Sequence, residues 1–110
     1  MKTKEQETQG MIHVWLKRPG GAPEKKFIPN TLEFLQWFVE GYIETYTLSH
    51  DLVVICNEEG KLDGLPYNCT ICGEEFVGNI LLVGTNEDEF DDVPFEEETL
   101  RSMLPGFFKS

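Results

Sequence analysis

The cysteine pair Cys69 and Cys72 has the spacing in this chain that is most suggestive of chemistry, because two thiolates separated by two residues can bind zinc. A closed zinc site needs four ligands, and Cys56 and His50 are the candidates for the other two. A single pair of this kind is weak evidence, and Cys56 also ends an apolar stretch, where a buried thiol is common. We therefore expect no structural metal. Redox work is less favoured still, since no helical pattern follows Cys72.

A second group that could do chemistry consists of carboxylates. Glu58, Glu59 and Asp63 are close together in the chain, and His13 and His50 are the two imidazoles. Paired carboxylates act as acid and base when burial separates their pKa values. Nothing in this spacing requires such a separation, and no nucleophile motif or phosphate-binding loop is present. The sequence therefore predicts a protein that is not an enzyme and needs no cofactor.

A third group could bind an anionic ligand. Basic residues surround a predicted hairpin turn, and a glycine-punctuated loop follows a predicted buried strand. The backbone amides of such a loop, with one aromatic ring, could hold a nucleotide-like signal molecule. The alternative interpretation of the basic cluster is a solvated sheet edge that discourages aggregation. The candidate ligand-binding residues are Lys17, Arg18, Lys25, Lys26, Gly60, Gly64, Tyr67 and Asn68.

Acidic residues dominate the composition. The 110 residues include 20 Asp and Glu against 9 Lys and Arg, a net charge of −11, which disfavours direct binding of nucleic acid and favours a basic partner. The acids are densest between residues 87 and 98, where a solvated tail is one interpretation and a partner-binding segment with apolar insertions is the other. The candidate partner-binding residues are Glu87, Asp88, Glu89, Phe90, Asp91, Asp92 and Phe95.

The elements that must position these groups follow from the periodicity. Residues 11–17 and 42–48 alternate between apolar and polar side chains, as half-buried strands do, while residues 51–56 and 76–84 read as buried strands. Alternating strands joined by short turns pair antiparallel. The sequence predicts an α+β fold with a mainly antiparallel sheet of about four or five strands packed on one central helix.

The central helix is predicted from Asn30 to Glu40, with Asn30 as N-cap and Gly41 in the left-handed C-terminal position. Apolar side chains surround most of this helix, which either packs in the centre of the fold or forms a homodimer surface. A short C-terminal helix is predicted near residues 96–104, ended by Pro105.

The length predicts one domain with three parts. Residues 1–10 are expected to be a disordered extension, residues 11–85 the α+β domain, and residues 86–110 an acidic segment with the short helix. No apolar stretch reaches the roughly 20 residues of a membrane helix, and the first ten residues do not resemble a signal peptide. We therefore expect a cytoplasmic location with no membrane partner.

The glycine-punctuated loop also carries a family resemblance. Four short motifs contribute, at residues 41–44, 56–62 and 64–68 and at the glycines Gly78 and Gly84. Together they resemble domain-of-unknown-function family 3846 over residues 11 to 85, with the segment Cys69 to Cys72 departing from the family pattern. The resemblance implies a protein of phages and other mobile elements of bacteria, and it implies no particular reaction.

Three hypotheses for function remain open at this stage. The first is a counter-defence protein, an acidic inhibitor that covers the basic surface of a host defence protein that targets nucleic acids. The second is a protein that binds or sequesters a nucleotide signal, and the third is a structural or scaffold protein of the mobile element. The acid excess favours the first hypothesis, whereas the elaborate loop favours the second.

Overall fold

The computed structural model describes residues 10–109, so the disordered extension predicted for residues 1–10 lies, apart from Gly10, outside the described residues. Eight strands and three helices follow one another within these residues. They are β1 (Met11–Lys17), β2 (Glu24–Pro29), α1 (Leu32–Val39), β3 (Ile43–Ser49), β4 (Leu52–Asn57), β5 (Tyr67–Ile71), β6 (Glu74–Val77), β7 (Ile80–Asn86), β8 (Glu89–Asp91), α2 (Glu97–Met103) and α3 (Pro105–Phe108).

A six-stranded antiparallel sheet organises the fold. Its order is β2-β1-β7-β4-β3, and β8 adds to β7. Every pairing is antiparallel, as the short connections predict. The α+β class and the mainly antiparallel sheet are therefore confirmed.

The sequence did not predict the hairpin formed by β5 and β6, which is separate from the main sheet. Residues 76–84 were expected to be one strand, but Gly78 breaks this stretch, with φ +73°, a conformation that favours glycine. The chain before the break belongs to the small hairpin and the chain after it to the large sheet. One continuous apolar run therefore contributes strands to two different sheets, and the prediction of a single strand was wrong.

The sheet is the middle layer of the molecule, because both of its faces are covered. On one face, α1 covers a core formed by alternate residues of the strands, including Val14, Ile55 and Leu81. On the other face, the β5–β6 hairpin and helices α2 and α3 cover a second core that includes Val54 and Phe107. The helix covers one face only, so the expectation of a central helix is not confirmed.

Both ends of α1 differ from the sequence prediction. Thr31, not Asn30, is the N-cap, and its Oγ1 accepts the Phe34 N–H at 3.1 Å. Glu40, not Gly41, takes the left-handed position, with φ 66°. Gly41 has a different role, because a Cβ there would lie 2.6 Å from Nδ2 of Asn57.

The chain after residue 85 is built into the same fold. The N–H of Val93 donates to the His13 carbonyl at 2.9 Å, so this segment lies beside the first half of β1. Leu100, Leu104 and Phe107 then pack into the second core. The predicted helix is present as α2, but Pro105 begins α3 in addition to following α2, since proline fits the first turn of a helix. Residues on both sides of the boundary expected at residue 85 therefore pack in the same two cores.

Candidate functional site

The loop between β4 and β5 is held to α1 by the side chain of Asn57. This side chain is buried, and its Nδ2 donates to the carbonyls of Val39 at 3.0 Å and Glu40 at 3.2 Å. Its Oδ1 accepts the N–H of Glu59 at 2.8 Å. One amide therefore ties the end of the helix to the start of the loop, and Gly41 provides the space for it.

The other end of the loop is held by Leu65. A Cβ on Gly78 would lie 2.8 Å from Cδ1 of Leu65, and a Cβ on Gly60 would lie 2.9 Å from Cγ2 of Val77. These close approaches explain why glycine stands at both positions. The N–H of Gly60 donates to Asn57 and the N–H of Gly64 donates to Lys61. Both amides are used within the loop, so they do not point toward a phosphate as the ligand-binding hypothesis requires.

A cavity of about 220 Å³ opens between this loop, β3 and the β5–β6 hairpin. Tyr46, Cys56 and Phe76 form its less polar wall, and the Tyr46 and Phe76 rings meet edge to face with centroids 5.6 Å apart. Burial raises the pKa of the Cys56 thiol to about 11, and the nearby Glu44 carboxylate adds to the rise. The thiol is therefore protonated at neutral pH.

Four carboxylates and one lysine provide the charges around this first cavity. The carboxylates are Glu44, Glu58, Glu74 and Glu75. The lysine is Lys61, whose Nζ lies 3.5 Å from a carboxylate oxygen of Glu74. The cavity thus has the chemistry to accept a cation with an apolar stem, and it leaves a net negative charge for that cation to neutralise.

A second cavity, of about 310 Å³, lies on the other side of the same loop. Its acidic lining comes from Glu40, Glu58, Glu59 and Asp63, and it shares Asn57 and Glu58 with the first cavity. Tyr42 also lines it and is 71% exposed. Trp37 of α1 is 68% exposed, and Leu62 of the loop is 87% exposed. The exposed Tyr42 therefore lies beside the carboxylates of the second cavity, and the exposed Leu62 lines the first cavity.

A third cavity, also of about 310 Å³, lies where the β7–β8 turn approaches β3. Thr45 and Thr47 of β3 line it together with three acidic residues and Phe90, all from the sequence-predicted partner-binding set. The acidic residues are Glu87, Asp88 and Glu89.

The apolar residues of the acidic run face the protein interior. Phe90 packs against the core beneath α1, whereas Val93 and Phe95 pack against the opposite core. Asp92 accepts the N–H of His13 at 2.7 Å. Phe90 and Phe95 are thus not the exposed anchors that the partner-binding hypothesis assumed, although the acidic side chains at the turn are exposed.

The predicted basic cluster is dispersed in the structure. Lys17 is only 2% exposed, because it lies on the face that the β5–β6 hairpin covers. Arg18 lies over the Phe38 ring at 5.2 Å, and both it and Lys26 pair with Glu24. Lys25 lines a cavity that also contains two carboxylates. These four residues therefore do not form one anion site.

Asn68 and Tyr67 have local structural partners. The Nδ2 of Asn68 donates to the carbonyls of Lys17 at 2.9 Å and Gly78 at 2.7 Å, which holds the hairpin against the sheet. Its buried Oδ1 has no hydrogen-bond partner within the described part of the chain. The hydroxyl groups of Tyr67 and Thr70 lie 2.6 Å apart.

The cysteines do not assemble a metal site. Cys72 is exposed in the two-residue turn between β5 and β6, Cys69 is buried, and His50 is exposed beside Asp51. Among residues 10–109, no group of three or more His, Cys, Asp or Glu side chains is arranged to hold a metal ion. The two imidazoles also lie apart from the loop carboxylates, with His13 beside Asp92 and His50 beside Asp51.

Sequence reasoning missed several residues that line the first cavity, namely Glu44, Tyr46, Glu74 and Glu75. The alternation in β3 places Glu44 and Tyr46 on one face, and this signal was available. The approach of the β5–β6 hairpin to that face was not, because the hairpin itself was not predicted.

The fold and this surface define a small α+β protein whose central antiparallel sheet carries a loop that Asn57 and Leu65 hold between acidic cavities. The chain belongs to the family described as "Domain of unknown function (DUF3846)", whose model matches residues 12–104. The resemblance in the loop motifs is thereby confirmed, and the match extends beyond residue 85 into α2. No curated protein matches the chain, and no solved structure does. Of the helices in the described residues, none is long and apolar enough to span a membrane.

Proposed function

We propose that the protein is a non-enzymatic binder of a basic protein surface, acting in the bacterial cytoplasm as a counter-defence inhibitor of a host protein that targets nucleic acids. One observation carries the proposal: five cavities on the described part of the chain each include at least two carboxylates, while Lys25 and Lys61 are the lysines that line them. A surface of this kind repels phosphate and attracts Lys and Arg side chains.

The contacts that hold the loop support the same proposal. A solvated acidic tail needs no defined conformation, whereas this loop is fixed at both ends by Asn57 and Leu65. A fixed display of charges lowers the entropy lost on binding. The exposed Trp37, Tyr42 and Leu62 add apolar area, which prolongs a complex that charge brings together. The origin in a phage or mobile element rests on the family resemblance alone.

Two alternatives remain as hypotheses. A nucleotide-binding protein would need Lys25 and Lys26 to hold an anion. Lys25, however, shares its cavity with two carboxylates, and Lys26 forms an ion pair with Glu24. A structural role in the mobile element would need no ligand. A homodimer through α1 also stays a prediction, which sedimentation velocity would test.

The test compares matched sets of substitutions in the full chain. The partner is first captured from the bacterial host and identified by native mass spectrometry, which would also show a retained nucleotide. Two sets each remove three negative charges, and a third removes two positive charges. They are Glu58→Gln with Glu59→Gln and Asp63→Asn, then Glu87→Gln with Asp88→Asn and Glu89→Gln, and finally Lys25→Ala with Lys26→Ala.

We expect each acidic set to slow association with a basic partner by about tenfold at low salt and to flatten its salt dependence. The lysine set should not slow association, because it removes positive charges that repel a basic partner. The opposite order, with the lysine set abolishing retention of a nucleotide, would favour the signal-binding alternative. If no set alters protection of the mobile element in a cell carrying the matching defence, the structural role is the better explanation.

A further inference from the structure

β3 is an edge strand of the sheet. Within residues 10–109 it pairs with β4 alone, so half of its backbone N–H and C=O groups have no partner strand among these residues. The N–H of Glu58 donates to the Tyr42 carbonyl at 2.8 Å, so these two residues form a hydrogen-bonded pair just before the strand. Since such pairs alternate along an antiparallel ladder, Ile43, Thr45 and Thr47 direct their N–H and C=O groups away from β4.

The two edges of the sheet differ in how they are protected. The opposite edge strand, β2, carries Lys25 and Lys26 and ends at Pro29, and such residues discourage the addition of another strand. β3 carries neither lysine nor proline over Ile43–Ser49. Its one irregularity is a bulge between Thr47 and Ser49, at the end of the strand. As far as the described residues are concerned, the straight part of β3 is therefore open to an additional strand.

Acidic cavities flank this open edge on both sides. Glu44 and Tyr46 of β3 line the first cavity, on one face of the sheet. Thr45 and Thr47 line the third cavity, beside the acidic β7–β8 turn on the other face. The side chains of a strand added to β3 would also alternate between the faces. They would enter both cavities in turn.

We propose that the partner contributes an extended basic segment, which adds to β3 as a further strand and places its Lys or Arg side chains in these two cavities. This proposal rests on the proposed function and specifies how the basic partner is recognised. The first cavity is several times larger than the roughly 30 Å³ of one water molecule, so it has room for a guanidinium group. The Tyr46 ring offers that group a cation–π contact, and the carboxylates offer paired hydrogen bonds.

Charge distinguishes this occupant from a second copy of the chain. Two copies paired through β3 would bring their acidic cavities together, and each chain has a net charge of −11. Like charges at such close range repel. A basic segment neutralises the same carboxylates instead, while its backbone uses the free groups of Ile43, Thr45 and Thr47.

The experiment uses the full chain and a seven-residue peptide with blocked ends, in which pairs of adjacent Arg residues alternate with single Thr residues, so that Arg side chains lie on both faces of the added strand. Binding is measured by calorimetry at low salt. We expect Thr45→Pro to weaken binding about tenfold or more, because it removes the outward N–H while proline remains tolerable at an edge. Thr45→Val is the matched control, since it keeps the N–H, and it should bind as the native chain does.

A second measurement leaves the protein unchanged. A peptide with the same sequence and an N-methyl group on every residue retains its charge but has no N–H to pair with β3 on either edge, and it should bind about tenfold more weakly. At alkaline pH, where the Cys56 thiol ionises, the parent peptide should also slow alkylation of Cys56, which lines the first cavity, more than it slows alkylation of the exposed Cys72, which does not line it. A peptide with Glu in place of Arg should not bind.

Three outcomes would overturn the proposal. Equal binding of the methylated and parent peptides, together with normal binding by Thr45→Pro, would show a contact through charge alone and leave the proposed function standing. Failure of the Arg–Thr peptide to bind would reject strand addition, whereas the salt measurements on the captured partner decide the proposed function separately. Dimers in sedimentation that Thr45→Pro dissociates would identify a second copy as the occupant.

Discussion

Asn57 is the residue on which the geometry of the acidic loop most depends. Its amide occupies a space that Gly41 leaves open and bonds to three backbone groups of α1 and the loop. No other side chain in the described part of the chain makes all of these contacts. These bonds stabilise the fold because a buried carbonyl or N–H without a hydrogen-bond partner lowers the free energy of unfolding.

We expect Asn57→Ala to lower the free energy of unfolding by about 2 kcal/mol, since it leaves buried backbone groups without partners. Glu58→Gln is the neighbouring control, and its exposed side chain should change stability by less than about 0.5 kcal/mol. Urea denaturation followed by tryptophan fluorescence measures both. Equal stability of the two variants would mean that Asn57 does not anchor the loop.

Cys72 illustrates how a residue's surroundings decide its chemistry. It stands in the β5–β6 turn with φ 51°, followed by Gly73 with φ 82°. Two successive residues with positive φ form the tight turn that suits the twist of a hairpin. The two cysteines of the Cys-x-x-Cys spacing thus have different surroundings. Cys69 is buried within β5, whereas Cys72 is exposed in the turn.

The β5–β6 hairpin is the element that closes the first cavity, and its turn offers a direct test. Cys72→Asn should raise the free energy of unfolding by about 0.5 kcal/mol, because Asn-Gly is the preferred sequence in such a turn. Gly73→Ala should lower it by about 1 kcal/mol, since alanine is strained at positive φ. Thermal unfolding with and without a chelator measures both variants.

The same measurement bears on the metal prediction. Because zinc binding and folding are coupled in a structural site, loss of a ligand would destabilise the protein and a chelator would act on the native chain. We expect neither effect. Destabilisation by Cys72→Asn together with stoichiometric zinc in the native protein would establish the zinc site that the cysteine spacing first suggested.

Helix α1 shows how an element with a strongly apolar sequence can still leave part of its surface open. Leu35, Phe38 and Val39 are buried against the sheet, while Leu32 and Trp37 remain exposed. The exposed side of α1 adjoins the second acidic cavity through Gln36 and Glu40. Exposed apolar and acidic side chains therefore occur together on α1 and at its C-terminal end.

Across the molecule, the dominant physical property is the charge of −11. Carboxylates gathered around the loop and at the β7–β8 turn repel one another in the free protein. A basic partner would relieve that repulsion. The free protein should consequently have a lower free energy of unfolding than a variant with fewer of these carboxylates, since functional sites are often not optimised for stability.

Salt should reveal this repulsion. Raising NaCl from about 0.01 M to about 1 M shortens the Debye length from roughly 30 Å to roughly 3 Å, so we expect the urea midpoint of the free protein to rise. The variant with Glu58→Gln, Glu59→Gln and Asp63→Asn should start from a higher midpoint and respond less. If salt lowers the midpoint of the native chain, its ion pairs outweigh the repulsion.

Local patterns in the chain were sufficient for most of the strands and for α1. Alternation defined β1 and β3, apolar β-branched residues defined β4, and the glycine-rich stretch defined the loop. These features depend on side-chain spacing and backbone sterics within a few residues. Because of that local origin, they could be predicted without knowing which strands pair.

The composition of the site depended on contacts between distant parts of the chain. The burial of Lys17, the insertion of the acidic run beside β1, and the approach of Glu74 to Glu44 around one cavity all join residues far apart in sequence. A short hairpin such as β5–β6 has little periodic signal. The ends of α1 were each displaced by one residue from the prediction, to Thr31 and Glu40, because such a shift leaves the apolar pattern of the helix unchanged. Which side chains share a cavity follows from how the sheet, the hairpin and the loop pack, since packing energy is gained only when those elements meet.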